Sequence, residues 1–115
     1  MLKSDFVRLR HLLDAAKEAR DFIAGKSKAD LIADRKLSLA VIKSIEIAGE
    51  AASRISRDLR ANAPQIPWQD IVGMRNRLIH GYFDINLDIV WKTVNEELPP
   101  LISDLEQLLA SEKSE

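Results

Sequence analysis

The sequence contains no cysteine, so it offers neither a disulfide nor a thiolate ligand for a metal. This absence suits a reducing compartment, and we expect a cytoplasmic protein. Glycine and proline number 4 each, and aromatic residues make up 5% of the chain, which is typical of helical bundles rather than of sheets. No apolar run reaches the roughly 18–20 residues that a spanning helix needs. We therefore expect neither a membrane segment nor a signal peptide.

Charge is close to balanced but unevenly distributed. The 115 residues carry a net charge of −1, which argues against a general nucleic-acid coat protein. Residues 51–80 contain five arginines and two aspartates, whereas residues 81–115 contain two lysines and eight acidic side chains. The positive segment is either an ordinary solvated helix face or a local surface for phosphate.

Apolar residues recur every three or four positions, which is the pattern of amphipathic helices. The predicted helices cover residues 5–23, 35–61, 68–79 and 87–98, with the period resuming at 101. We expect Ser4 or Asp5 to cap the first helix and Gly25 to end it. Residues 26–34 are expected to form a connection with one helical turn.

The helix predicted over 35–61 is expected to be the longest, and to lie centrally in the bundle or at an oligomer interface. A second apolar set widens its main stripe, and this set is Ala40, Ile47 and Ala51. Gly49 allows a neighbouring helix to approach closely, at a cost of roughly 1 kcal/mol in helix propensity. Arg54, Arg57 and Arg60 recur every three residues. They predict one cationic ridge, which is either a plain exposed face or a surface for RNA.

Two adjacent prolines interrupt the last predicted helix. Pro99 and Pro100 each remove a backbone donor and clash with the preceding turn, so we expect a kink or a break there. Asn86 or Asp84 is the expected cap at the start of this helix. The predicted fold is an all-α antiparallel bundle of four to five helices. It forms a single domain over residues 1–115, with an ordered core over about 5–110.

Residues 74–84 concentrate side chains suited to chemistry on phosphate. Arg75 has a planar, permanently charged fork, and His80 can exchange a proton near neutral pH. Asn76 adds an amide and Tyr82 a hydroxyl. No His, Cys or paired carboxylates have metal-ligand spacing, so we expect no metal and no cofactor. The set suits metal-free phosphodiester cleavage, in which one group handles a proton and a cation stabilises charge at phosphorus.

Geometry sets a condition on this hypothesis. Arg75 and His80 are five positions apart, so on an ideal helix they point about 140° apart. They converge only if the helix ends near His80 or if a second copy of the chain completes the cleft. The structural alternative makes His80 a cap or a core polar residue, and Tyr82 and Phe83 packing residues. In that alternative Arg75 and Arg77 pair with the acidic last helix.

The arrangement Arg75-Asn76-x-x-x-His80-x-Tyr82 resembles the arginine–four residues–histidine–x–tyrosine motif of HepT-like toxins in the HEPN superfamily. The resemblance spans roughly residues 5–110. Its further matching segments are residues 47–52, 66–68, 71–84, 87–91 and 98–99.

The resemblance implies a helical homodimer whose two motifs face a shared cleft. It implies a metal-independent endoribonuclease, acting on tRNA or mRNA as the toxin of a type VII-like toxin–antitoxin pair. Arg75 and His80 would then be catalytic, supported by Asn76 and Arg77. The implied partner is a minimal nucleotidyltransferase antitoxin, which can transfer AMP from ATP to Tyr82 and block the cleft.

Two alternatives without catalysis stay open. In the first, a helical dimer binds a nucleotide, an RNA or a partner protein in its groove, and Arg75 and His80 are ligand contacts. In the second, the chain is a purely structural oligomerisation domain. Cleavage tests on generic RNA and on tRNA separate an enzyme from both alternatives.

Overall fold

A computed structural model of the protein describes residues 1–78 and 85–111, and every multi-residue element within these ranges is helical. The elements, in chain order, are α1 (Lys3–Ile23), α2 (Lys28–Ala33), α3 (Arg35–Ser53), α4 (Arg57–Asn62), α5 (Trp68–Leu78), α6 (Leu87–Lys92), a π-helical segment (Thr93–Glu97) and α7 (Leu98–Ser111). The last three are continuous over 87–111. With α1, α3 and α5 they form four long elements, which confirms the predicted all-α bundle. No helix in this part of the chain combines the length and apolarity needed to cross a membrane.

Helices α1 and α3 pack side by side in opposite directions. Near the start of α1, Asp5 contacts Ser56, just beyond the end of α3. Near the end of α1, Glu18 accepts a hydrogen bond from the Ser44 hydroxyl at 3.2 Å. Leucines and alanines of α1 and the predicted apolar stripe of α3 are buried between them. This antiparallel pair is the centre of the core.

The start of α1 differs from the prediction. The helix begins at Lys3, and Leu2 before it makes no side-chain capping bond. Asp5 is 3% exposed, and its carboxylate accepts from the Ser56 backbone N–H at 2.9 Å and from the Ser56 hydroxyl at 2.6 Å. Ser4 and Asp5 are therefore not the cap, because Asp5 serves a tertiary contact instead. Gly25 has φ of 74°, which confirms the predicted end of the helix.

The prediction of a single helix over residues 35–61 is wrong, because α3 ends at Ser53 and α4 begins at Arg57. The Ser56 hydroxyl caps α4 by accepting from the Leu59 N–H at 3.2 Å. The guanidinium of Arg60 donates to the carbonyls of Ala52 and Ile55 at 2.8 and 3.2 Å, which satisfies the exposed end of α3. Helix α3 has 19 residues and is shorter than α1, which has 21, so the prediction that it would be the longest is also wrong. Apolar periodicity did not reveal the break because the buried face continues through it.

The connection predicted over 26–34 contains the short helix α2. Ser27 and Asp30 form a reciprocal capping box at its start. The Ser27 backbone N–H, followed by its hydroxyl, stabilises the Asp30 carboxylate and lowers the pKa of that carboxyl below its usual value. This short helix shapes the turn between α1 and α3.

The interruption predicted at Pro99-Pro100 takes the form of the π-helical segment just before the pair. Asn86 caps α6 by accepting from the Ile89 N–H at 3.1 Å, as predicted. In the π segment the Leu98 N–H bonds to the Thr93 carbonyl. Pro99 has no N–H to offer the next carbonyl, that of Val94, which instead accepts from Arg20 of α1 at 3.3 Å. The joined helix therefore continues through the prolines. The end predicted at residue 79 for the third helix, and residues 112–115, lie outside the described residues.

We predict that Asp5→Ala lowers the free energy of unfolding by about 2–4 kcal/mol, because it removes two hydrogen bonds to a buried carboxylate. Urea denaturation measures this change. The control is Asp14→Ala, since Asp14 is 64% exposed and its nearest contact with Arg10 is 3.8 Å. We expect the control to change stability by less than about 0.5 kcal/mol. Equal effects for the two variants would contradict the role given to Asp5.

Candidate functional site

Helix α5 carries the first half of the motif and is held from its start. It begins directly after Pro67, as predicted. The Trp68 indole N–H donates to the Ala63 carbonyl at 3.0 Å in a buried position. Four side chains of the helix face the core, namely Trp68, Ile71, Met74 and Leu78. Arg75, Asn76 and Arg77 are therefore directed outward on its last turn.

Close approach of α3 fixes the position of α5. Gly49 is buried in α3, and a Cβ atom placed there would lie 3.3 Å from the Ile71 carbonyl oxygen and 3.7 Å from that of Val72. The predicted close packing at Gly49 is confirmed. A larger side chain at this position would push away the backbone that leads to Arg75, one turn further along α5.

Arg75 lies between solvent and α3. Its side chain is 49% exposed, and its Nε lies 3.7 Å from Oε1 of Glu46. Glu46 also lies 4.0 Å from the Lys43 ammonium, so one carboxylate faces two cations. Exposed ion pairs of this length contribute little to stability. The guanidinium of Arg75 is thus oriented by Glu46 but remains available to a ligand.

The neighbouring motif residues have different surroundings. Arg77 lies 3.4 Å from Glu97 of the π segment, with both side chains about two-fifths exposed (41% and 42%). The expected pairing with the acidic last helix is confirmed for Arg77, but the described pairing of Arg75 is with Glu46 on α3. Asn76 is exposed. Among the described motif side chains, these placements leave Arg75 and Asn76 most open to a substrate.

His80 and Tyr82 lie outside the described residues. Their convergence with Arg75, the cap role considered for His80 and the packing role considered for Tyr82 all stay predictions. The described backbone brings the chain as far as Leu78, which is fully buried, and resumes at Ile85.

The cationic ridge predicted from Arg54, Arg57 and Arg60 does not run along one helix. Arg54 follows the end of α3 and donates to Glu50 at 2.8 Å. Arg57 is the exposed first residue of α4. Arg60 is partly buried and its guanidinium is bound to carbonyls of the α3 end. Of the three, Arg54 and Arg57 present their charge to solvent, whereas Arg60 has a structural role.

An open groove of about 660 Å³ lies beside Arg75. Its lining combines residues of three elements, namely Ser4, Val7, Arg8, His11, Lys43, Glu46, Ile47, Glu50, Ala51, Arg54 and Arg75. The sequence alone does not point to His11, Lys43 or Glu46, because only the packing of α3 against α1 and α5 brings them into the groove that Arg75 lines. Within the described ranges, no group of three His, Cys, Asp or Glu side chains is placed to hold a metal ion.

Comparison with known proteins identifies the family. The family model described as ribonuclease HepT-like matches residues 12–108. A candidate RNase of Caldanaerobacter subterraneus subsp. tengcongensis is 35% identical over 105 residues, covering 91% of this chain and 94% of its own. A probable ribonuclease HepT of Thermococcus cleftensis is 36% identical over 100 residues, covering 87% and 91%.

A third relative, a candidate RNase of Methanocaldococcus jannaschii, is 36% identical over 98 residues, covering 85% of this chain and 90% of its own. The comparison with solved structures gave no match. The family model covers α3 and α5 in full, and α1 from residue 12 onward. The chain therefore belongs to the ribonuclease HepT-like family.

Proposed function

We propose that this protein is a metal-independent endoribonuclease that acts as the toxin of a type VII-like toxin–antitoxin pair. The observation that carries the proposal is the exposed Arg75 on the last turn of α5, within an intact motif, in a member of the HepT-like ribonuclease family. Its only described partner is a carboxylate 3.7 Å away. A phosphate that accepts two hydrogen bonds from the guanidinium would bind Arg75 more strongly than the Glu46 carboxylate does.

The proposed reaction uses the ribose 2′-hydroxyl as nucleophile. The 2′-oxygen attacks phosphorus, the bond from phosphorus to the 5′-oxygen breaks, and a cyclic phosphate and a 5′-hydroxyl end result. His80 handles the proton of the 2′-hydroxyl or of the leaving oxygen. Arg75 stabilises the negative charge on the phosphoryl oxygens. Asn76 and Arg77 support the site by positioning the substrate and the end of α5.

The active unit in this proposal is a homodimer. On an ideal helix Arg75 and His80 point about 140° apart, and a two-fold axis beside the end of α5 would allow both copies to contribute to one cleft. Tyr82 lies two residues beyond His80 in the sequence. It would therefore be close to the cleft and accessible to a modifying partner.

Neutralisation is proposed to occur through a minimal nucleotidyltransferase antitoxin. The Tyr82 oxygen attacks the α-phosphorus of ATP, pyrophosphate leaves, and the phenolic proton passes to solvent. The attached AMP places a negatively charged phosphate and a base near Arg75 and His80. It would exclude an RNA phosphate from the same cations by charge and by bulk.

Expression of the wild-type chain without its partner is expected to arrest growth and to produce discrete RNA fragments. His80→Ala should do neither, because the proton transfer is lost. Growth curves and gels of total RNA measure both effects. If the purified His80→Ala protein, freed of host nucleases, cut RNA at the wild-type rate, the catalytic role of His80 would be wrong.

Arg75→Ala is expected to lower the cleavage rate by about 10²–10³-fold, because charge on phosphorus loses its stabilising cation. It should change the free energy of unfolding by less than about 1 kcal/mol, since its ion pair is long and exposed. The matched control is Arg10→Ala, because Arg10 is 52% exposed and lies 3.8 Å from Asp14. We expect the control to keep full activity. Wild-type protein that binds RNA but cuts neither generic RNA nor tRNA would instead support the binding-module alternative.

Co-expression with the cognate nucleotidyltransferase is expected to raise the intact mass of the protein in whole AMP units. Tyr82→Phe should show no increase, because it lacks the acceptor hydroxyl while keeping the ring. Intact-mass spectrometry gives the result directly. An AMP unit retained on Tyr82→Phe would place the modification on another residue.

A further inference from the structure

The groove between α1 and α3 has a charge pattern that the motif does not explain. Its cationic side chains are Arg8, Lys43, Arg54 and Arg75. The imidazole of His11 is a fifth side chain with nitrogen atoms in the lining. Among the described residues, its carboxylates are those of Glu46 and Glu50. The described lining thus has two positive charges in excess even with the histidine neutral, in a chain whose net charge is −1. Such a local excess favours an anionic ligand.

The cations of the groove are held loosely. Glu46 is shared between Arg75 at 3.7 Å and Lys43 at 4.0 Å. The side chain of Lys43 is 71% exposed. The closer pair, Arg54 with Glu50, is also exposed on both sides, at 61% and 63%. Pairs in this environment have little net stability, so a phosphate can replace the carboxylates at small cost.

Apolar side chains form the floor between these cations. Val7 of α1 is 43% exposed and Ile47 of α3 is 42% exposed. Their exposed aliphatic surface gives the groove an apolar area that a ligand can cover. Flat apolar surfaces flanked by cations suit unstacked bases, whose faces are apolar while their phosphates are charged.

We propose that this groove binds single-stranded RNA next to the scissile phosphate. Lys43 and His11 contact the RNA backbone, and Val7 and Ile47 contact bases. The proposal rests on the ribonuclease function argued above, since Arg75 forms one wall of the groove. On α3 the lining extends from Lys43 to Arg54, about 16 Å along the helix axis. That length accommodates more than the one phosphate at the cleavage point.

A second copy of the chain fits this groove less well. A two-fold interface centred on this groove, unlike one beside the end of α5, would place the same surface against itself, so two positively charged grooves would face each other. Like charges opposed in this way disfavour association. RNA avoids this repulsion, because its phosphates are negative and the groove is positive. The proposal therefore assigns the groove to RNA rather than to the dimer interface.

The test is binding of a 2′-O-methyl RNA oligonucleotide, which lacks the nucleophilic hydroxyl and cannot be cut by the proposed route. Full-length wild type is compared with the double variant His11→Gln/Lys43→Gln by fluorescence anisotropy at several salt concentrations. We expect affinity to fall about 10-fold, and the log–log slope of affinity against salt to decrease by about 0.7 for each phosphate that the variant no longer neutralises. The matched control is Lys36→Gln, an exposed lysine of α3 that does not line this groove. The control should bind like wild type.

Wild-type affinity and salt slope in the double variant would overturn the proposal. So would a molar mass by light scattering that differs between the double variant and wild type, because the groove would then be an interface between copies. Weaker binding by the double variant, with wild type unable to cut any RNA, would support the groove and refute the ribonuclease function. Unchanged RNA binding by the double variant, with wild type still able to cut RNA, would refute the groove and support the ribonuclease function.

Discussion

Helix α3 lies between α1 and α5 and contacts both, so its backbone determines where the arginines of α5 are held. The contact with α5 depends on Gly49, whose missing side chain leaves room for the Ile71 carbonyl. The contact with α1 depends on a long buried surface of leucine and alanine. Because protein interiors are closely packed, a displacement at either contact would move the end of α5. The position of Arg75 is thus a property of the core rather than of its own local surroundings.

At the break between α3 and α4, polar side chains form hydrogen bonds at the edge of that core. Asp5 is buried and binds Ser56, while Ser56 caps α4 and Arg60 binds carbonyls at the end of α3. These groups satisfy one another, so the break in the helix leaves few exposed backbone groups without partners. Arg20 plays the same part at the π segment, where it binds the Val94 carbonyl. Arginines of this chain therefore divide into those bound to backbone carbonyls and those open to solvent.

This division bears directly on function. The arginines bound to carbonyls hold the fold together, whereas Arg75 and Arg54 pair with carboxylates whose side chains are 31% and 63% exposed. Both line the same groove, together with His11 and Lys43. In the RNA-binding role that we propose for the groove, the cations beside the motif arginine form a path for the substrate backbone. Loose ion pairs keep these side chains oriented without the substrate and release them when phosphate arrives.

The sequence by itself determined the class of fold, the buried stripe of α3, the close approach at Gly49, the Asn86 cap and the motif that indicates the family. These features depend on local chemistry: periodicity, glycine, capping side chains and a short, fixed spacing of functional groups. The break after Ser53, the use of Asp5 as a tertiary ligand and the pairing of Arg75 with Glu46 were decided only by the tertiary structure. Each joins residues from different helices, and no local pattern encodes such a contact. His11 reaches the site for the same reason, since only the packing of α1 on α3 brings it beside Arg75.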